Sequence, residues 1–308
     1  MTFRIGIIGL GDIAQKVYLP LLSVHIEVEI AGVMSTTQGT VDRVMHQYRL
    51  PFGTTRLEEL LDRSLDAVFI HSPTESHYEL VTACLDRGIA VYVDKPLSYK
   101  LDESIAMAAR AEEKAVLLAV GFNRRFAPQY MDAKQWLEEQ GGIEYLAVQK
   151  HRTRMQSHDA KMTVYDDLIH ILDMMLWLGG EKYKLGTKSL YTNDEGQMLR
   201  ASGMLHYDHA DAAYSMVRLA GADLEKLELH GHGRSAEITN MEQAMFAQKG
   251  KAPTHHTFGS WDTVLRRRGF EGIVYHFLSS LKRPEQCSVR ADQVLESHRL
   301  AEQISTFR

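Results

Sequence analysis

The sequence predicts an α/β chain in two parts, a parallel sheet wrapped by helices on both faces followed by a domain of mainly antiparallel strands with helices. Three observations carry this. Apolar runs alternate with helical segments through the first third of the chain, the pattern of a parallel sheet. An apolar run beginning at Phe3 breaks into glycines and then into helix-forming residues. From residue 184 onward, short alternating runs separated by polar turns replace the helical pattern. At 308 residues the chain is too long for one ordinary core and suits two domains. The last strand of the parallel pattern ends at Phe122, so the division falls at 1–122 and 123–308.

Composition narrows the function classes. A formal charge of −5 and a pI near 6.3 give no bulk attraction for nucleic acid or an acidic membrane. Cys84 and Cys287 are far apart inside apolar segments, which favours buried thiols over a disulfide or a metal pair and fits a cytoplasmic protein. The N-terminal apolar run is short and glycine-interrupted, a strand rather than a signal peptide. No apolar stretch is long enough to span a bilayer.

Gly9, Gly11 and Ala14 stand at the spacing G-x-G-x-x-A between a strand and a helix over about 14–23. Gly9 permits a sharp turn, Gly11 lets a pyrophosphate approach the backbone, and Ala14 lets the helix pack close to the strand. The helix start around Gly11, Asp12 and Ile13 offers free N–H groups and a positive dipole end to phosphates, which makes this a dinucleotide site for NAD or NADP. Strand two, 28–34, ends at Ser35-Thr36-Thr37, without the acidic residue that would bind an adenosine 2′-hydroxyl. Hydroxyls at Ser35 and Thr36 suit a 2′-phosphate, so NADP is slightly favoured, although the nearest arginine is Arg43.

A short helix over 57–62 and a strand over 67–70 lead into His71-Ser72-Pro73-Thr74-Glu75-Ser76-His77, at the carboxyl edge where ligands of such sheets bind. Ser72, Pro73, Thr74 and His77 are cofactor candidates, while a capped turn before the helix over 78–87 explains the same residues. The strand over 89–93 runs into Asp94-Lys95-Pro96, where proline holds Lys95 extended at the crevice. Pairing with Asp94 would raise that lysine's pKa and burial would lower it. A helix over 101–114 and a strand over 116–122 complete the first domain.

The glycine motif, the turn with Pro73 and His77, and Asp94-Lys95-Pro96 at this distance resemble the glucose–fructose oxidoreductase / inositol dehydrogenase (Gfo/Idh/MocA) family. The family usually has Glu where Asp94 stands. The resemblance implies a Rossmann domain followed by an α/β domain with a large open sheet. Gly121-Phe122-Asn123-Arg124-Arg125-Phe126 is similar to the family's crossing between domains. There Asn123 and Arg124 either face substrate or tie the domains together.

A helix over 128–139 and a strand over 143–153 bring Lys150, Arg152 and Arg154 onto one strand face and His151 onto the other, so only one set can line a pocket. Lys150 is the substrate-binding candidate. In the apolar stretch over 165–179, Asp166 and His170 are four residues apart, one turn along the same helix face. A histidine beside a carboxylate can remove a hydroxyl proton while hydride leaves carbon. A helix cap and a satisfied core histidine explain the same pair. The family's Asp-x-x-x-His matches Asp166 and His170, and the resemblance implies catalytic roles for both beside Lys95, with substrate held by the same pair. No third ligand stands at a spacing that suits a metal.

Strands over 185–191, 198–207, 212–219 and 226–230 form a meander, partly apolar on both faces, for which a second subunit is a natural cover. The resemblance implies a homodimer or homotetramer through that sheet. Residues 241–261 read as a polar loop with a surface His255-His256 pair, Arg266-Arg267-Arg268 as a solvated helix edge, and 269–281 and 291–306 as helices. The function expected is hydride transfer between NAD(P) and a sugar, polyol or related hydroxy compound. A cofactor-binding sensor without turnover and an NAD-dependent glycosidase are the alternatives.

Overall fold

The computed structural model describes residues 2–306. The chain forms two units, one of residues up to Gly121 together with Val274–Leu295, the other of Phe122–Ile273 with the residues from Glu296 onward.

In the first unit β1 (Phe3–Ile8), β2 (Val28–Met34), β3 (Gly53–Thr54), β4 (Ala67–Ile70), β5 (Ala90–Val93) and β6 (Leu118–Val120) make one parallel sheet in the order β3-β2-β1-β4-β5-β6. Strands such as Ala67-Val68-Phe69-Ile70 are buried on both faces, as a sheet covered by helices on each side requires. The covers include the helices Gln38–Tyr48, His77–Asp86 and Leu101–Lys114. The helix expected over 14–23 is present, but its first part, Ala14–Tyr18, is a π-turn.

Gly9 closes the strand-to-helix turn at φ +85°, and a Cβ there would lie 2.4 Å from the Ser72 nitrogen and 2.5 Å from the His71 carbonyl carbon. A Cβ on Gly11 would meet nothing within 4 Å. Gly9 therefore serves the fold, and Gly11 leaves open space in front of the turn.

The expected assignment of all residues from 123 onward to the second domain needs correction, because Val274–Leu295 belongs with the first unit. Two contacts explain it. Phe277 packs edge-on against Phe69 at 5.3 Å and against Tyr92 at 5.5 Å between ring centroids, and the Val289 carbonyl accepts the Val120 N–H at 2.9 Å. The returning segment thus caps the β6 edge, which would otherwise carry unpaired backbone groups. Both cysteines are free and buried.

In the second unit β7 (Tyr145–His151), β8 (Lys184–Thr192), β9 (Met198–His206), β10 (Asp211–Val217), β11 (Leu224–Gly231), β12 (Arg234–Thr239), β13 (Gln243–Gln248) and β14 (Thr254–Thr257) form a sheet in the order β14-β13-β12-β11-β7-β10-β9-β8. All neighbours are antiparallel except β7 and β10. The loop expected over 241–261 contains β13 and β14. Ala244 and Phe246 alternate inward on β13, while β14 is an exposed edge strand whose polar residues hide its pairing. Among the described residues, no helix is long and apolar enough to cross a membrane.

Helices Pro128–Glu138 and Ile169–Gly179 lie on the inner face of this sheet, the second preceded by a short helix, Ala160–Thr163, and a π-turn, Val164–Leu168. The single regular helix expected around Asp166 is thus broken into three segments. Its junction with the sheet is held by charge. Leu227 and Leu229 of β11 are buried, and Glu225 follows their phase into the interior. Lys150 does the same behind Leu146 and Val148 on β7, directly opposite Glu225 in the register. Arg124 makes a two-pronged pair with Glu225 at 2.7 and 2.8 Å, Lys150 and Arg218 both reach Asp167 in the π-turn, and Arg152 contacts Glu225. Nearby, Arg125 pairs with buried Asp173, which also accepts from Ser297 at 2.8 Å.

Burial alone would raise the Glu225 and Asp167 carboxyls, but the surrounding cations hold both well below the usual carboxylate range. Depressed carboxylates stabilise the fold above their unfolded pKa values, near 4, and that contribution is lost only as the pH falls through the lower folded values.

Two stability experiments follow from this packing. Gly9→Ala should destabilise the chain by at least about 2 kcal/mol, since it combines positive φ with backbone overlap, whereas Gly11→Ala should leave the chemical-denaturation midpoint in place. Glu225→Gln should cost about 3–5 kcal/mol by stranding buried arginines. Lys150→Met, which removes one cation from a cluster rich in them, should cost under about 1.5 kcal/mol.

Candidate active site

At the carboxyl edge of the parallel sheet, three turns of the first unit come together. The order of strands places β1 beside both β2 and β4, so the chain leaves β1 in one direction and returns on the other side, the crevice where sheets of this kind bind ligands. The turn after β1 carries Gly9 and Gly11, and the chain is helical from Asp12, with Asp12 and Ile13 exposed at the helix start. The first N–H groups of a helix have no acceptor within it. With the open space at Gly11, they form a cradle that fits a pyrophosphate. Ser35 closes β2 with its N–H on the Thr54 carbonyl at 3.3 Å, leaving Ser35 partly exposed and Thr36 exposed at the same edge.

The turn after β4 starts at His71 and is backed by the third, after β5. His71 Nδ1 lies 2.9 Å from an Asp94 carboxylate oxygen, and its ring stacks on Tyr18 at 3.8 Å between centroids. Tyr18 donates to the other Asp94 oxygen at 3.1 Å and is 2.8 Å from the Tyr92 hydroxyl. Burial would raise the Asp94 carboxyl, yet His71, His77 and the Tyr18 hydroxyl outweigh it and hold the group below its ordinary value. Asp94 is therefore a fixed anion immediately before Lys95.

On the other side of Lys95, the Pro96 carbonyl lies 2.9 Å from His77 Nδ1, whose other ring nitrogen is 3.1 Å from the Ser72 carbonyl. Burial lowers the His77 pKa, and a neutral ring carries one N–H, so one of these two contacts is the hydrogen bond at any moment. His77 thus links the Ser72 turn to the Lys95 turn through the backbone. Ser72 and Thr74 are partly exposed and Pro73 is exposed, and the Ser76 hydroxyl donates to Ser72 Oγ and to the Pro73 carbonyl, both at 2.7 Å. The expected side-chain cap from Thr74 or Ser76 on the following helix is not formed.

Sequence reasoning missed His71, Tyr18 and Tyr92. Their signal was weak. His71 ends a strand whose phase buries it, but Tyr18 closes a π-turn, which no apolar spacing announces.

The second unit holds the other candidates. Asp166 is half-buried within the π-turn, and His170 is buried in the first turn of the helix that follows. Asp167, between them, takes the Lys150 and Arg218 charges. Lys150 is almost wholly buried; burial first, and then Arg124 and Arg152, pull its pKa down to about 7 against the opposing carboxylates. The Asn123 side chain donates to the Arg268 carbonyl at 2.7 Å, holding the turn at Gly269, which approaches the Asn123 backbone too closely for a Cβ. Arg124 and Arg125 tie elements within the second unit, through Glu225 and Asp173. Among the described residues, no group of three or more His, Cys, Asp or Glu side chains is placed to hold a metal ion.

Comparison with known proteins gives this arrangement a relationship. Residues 3–122 match the family model described as an oxidoreductase family with an NAD-binding Rossmann fold, and residues 128–249 match a YceM-like C-terminal domain. The YceM protein of Salmonella typhimurium is 35% identical over 302 residues, covering 98% of this chain and 96% of its own. A Bacillus subtilis scyllo-inositol 2-dehydrogenase (NAD(+)) is 27% identical over 79% of this chain and 73% of its own. The crystal structure of a dehydrogenase from Clostridium difficile superposes with a TM-score of 0.93 at 30% identity, covering 99% of each chain. With its glycine turn, its Asp94-Lys95-Pro96 edge and these relatives, the chain belongs to the Gfo/Idh/MocA oxidoreductase family, with an NAD(P)-binding Rossmann domain and a YceM-like C-terminal domain.

Proposed function

We propose that this protein transfers a hydride between NAD(P) and a hydroxyl-bearing sugar, polyol or related compound, with Lys95, Asp166 and His170 serving the one reaction. The observation that carries this is the way Lys95 is held at the sheet edge. Asp94 before it is fixed by His71 and Tyr18, and the Pro96 carbonyl after it is engaged by His77, on the same edge as the Gly9–Gly11 turn. Such anchoring of the residues around one lysine is what a positioned proton donor needs.

A bound nicotinamide supplies the hydride acceptor or donor. In the oxidising direction the His170 imidazole takes the hydroxyl proton, Asp166 orients that ring or the substrate hydroxyl, and the Lys95 ammonium hydrogen-bonds the same oxygen. In the reducing direction His170 returns that proton while Lys95 hydrogen-bonds the same oxygen. Gly11, Asp12 and Ile13 hold the pyrophosphate, Ser72, Pro73 and Thr74 border the nicotinamide side, and Ser35 and Thr36 meet the adenosine ribose. Hydroxyls without an acid at that corner support a slight preference for NADP. Asn123, Arg124 and Lys150 act in substrate binding chiefly by holding the elements around it. A relative that acts on an inositol supports the polyol class. The outer sheet face, where exposed Tyr191 and Val217 flank Arg200 across neighbouring strands, is covered by a second copy in a homodimer or homotetramer.

Fluorescence titration with NADH and NADPH, followed by a screen of polyols and sugars at the nicotinamide absorbance band, tests the reading. Lys95→Ala should lower kcat by at least about a hundredfold while the cofactor Kd stays within about threefold. Unchanged turnover in that variant would remove Lys95 from the chemistry. Tight cofactor binding with no absorbance change for any compound would point to a sensor, and aryl-glycoside cleavage without net reduction to a glycosidase.

A further inference from the structure

We propose that the substrate carries an oxyanion, a carboxylate or a phosphate, and that this group binds at Arg152, on the outer edge of the buried cation cluster in the second unit. This rests on the reading of Asp166 and His170 as the reacting pair and names the class of compound they act on. Ion pairs of 4.0 Å or less link four cations, Arg124, Lys150, Arg152 and Arg218, to only two carboxylates, Asp167 and Glu225.

The two carboxylates are oversubscribed. Arg124 already uses both oxygens of Glu225. Arg152 shares one of them, Oε1, with Arg124, and Lys150 is 3.9 Å from the same atom. On the other side, the Arg152 Nε is 4.0 Å from an Asp167 oxygen that Arg218 already holds. Arg152 therefore has no carboxylate of its own, and it is the most exposed cation of the four, at 22%. Further out, Asp223 accepts the Thr153 N–H and hydroxyl at 2.8 and 2.9 Å and acts electrostatically on both Arg152 and Arg154, so it is shared between two further cations and does not cancel the excess.

Charge left over inside a protein is costly and is relieved by proton loss, by water or by a bound counter-ion. Proton loss can silence only Lys150, because arginine stays charged. One positive charge then remains with Arg152, facing outward. A guanidinium there offers a carboxylate or phosphate a charge-assisted contact of two-pronged geometry. The placement also suits the chemistry. Asp167 lies in the π-turn directly after Asp166 and three residues before His170, so the cluster and the proposed reacting pair share one short stretch of chain.

Two measurements on the full chain test this. The first follows the melting temperature of the wild type with sulfate, phosphate or tartrate against chloride at matched ionic strength. Oxyanions should raise it by several degrees, as ligands of the folded state do, and Arg152→Gln should abolish the rise. The second compares kcat/KM for sugar acids and sugar phosphates with that for their neutral parents. The anionic member of one series should be preferred about tenfold or more, which also separates carboxylate from phosphate, and the preference should shrink at least about tenfold in Arg152→Gln. If that variant does not fold, Arg152→Lys, which keeps the charge and loses the planar fork, provides the comparison, and the anionic preference should fall there too. Preference for neutral compounds with no oxyanion-specific stabilisation would overturn the proposal and leave the oxidoreductase reading standing. Oxyanion stabilisation lost in Arg152→Gln, without turnover of any compound, would support the anion site and overturn the redox reading.

Discussion

The contact between two backbones at Gly9 is the constraint on which the first unit depends. β1 and β4 are neighbours, and the turns that leave them must pass within ordinary van der Waals reach. At Gly9 the space for a side chain is already filled by the His71 carbonyl and the Ser72 nitrogen. That closeness brings the glycine turn and the His71 turn to one edge. His71 then reaches Asp94, and His77 reaches Pro96, so a single close approach propagates to the residues on both sides of Lys95. Gly11 is a different case. Nothing in the folded chain requires it, and its missing side chain is explained by what must enter from outside.

The second unit solves another problem. Its strands carry charged residues in the phase of core residues, and their burial is tolerated because β11, β7 and the π-turn bring them opposite one another. Glu225 faces Lys150 across the register, and Asp167 closes the group from above. Such a cluster contributes less to stability than its close contacts suggest, since desolvation offsets much of the attraction. Its stronger effect is on geometry. A π-turn widens the helix and misaligns its hydrogen bonds, and such turns recur where function needs a particular side chain placed off the regular spiral. Anchoring Asp167 to Lys150 on β7 and to Arg218 just after β10 fixes that irregular turn, with Asp166 and His170 on it or beside it.

Much of this was legible in the amino-acid order. The parallel sheet, the glycine turn and the Lys95 edge follow from apolar runs punctuated by glycine and proline, which are local signals. What escaped was nonlocal or off-period. Tyr18 meets Asp94 through a π-turn, and the segment around Phe277 and Val289 returns to the first unit by contacts that no spacing encodes. β14 was hidden because an exposed edge strand needs no apolar residues, so Thr254-His255-His256-Thr257 looks like a loop. The ion cluster was half visible. Alternation places Glu225 with Leu227 and Leu229, and Lys150 with Leu146 and Val148, but the expected strand began only at residue 226 and Lys150 was expected to line a pocket. Sequence could show that each needed a partner, but only the register of β11 on β7 shows that they face one another.

The two units thus use polarity in opposite ways. Around Asp94 the charges balance locally: one carboxylate is met by a histidine and a tyrosine hydroxyl, and the residues flanking Lys95 are held mainly by uncharged donors and acceptors. Around Asp167 and Glu225 cations outnumber anions, and burial holds them together. The first arrangement suits a dinucleotide edge, where the backbone N–H groups of a helix start meet the phosphates and an extra fixed cation is unnecessary. The second would be a poor bargain for stability alone, because an apolar cluster of equal volume would hold the strands together with less desolvation. A compensating negative group on a bound molecule gives the excess a physical purpose, and it does so in the unit that carries Asp166 and His170.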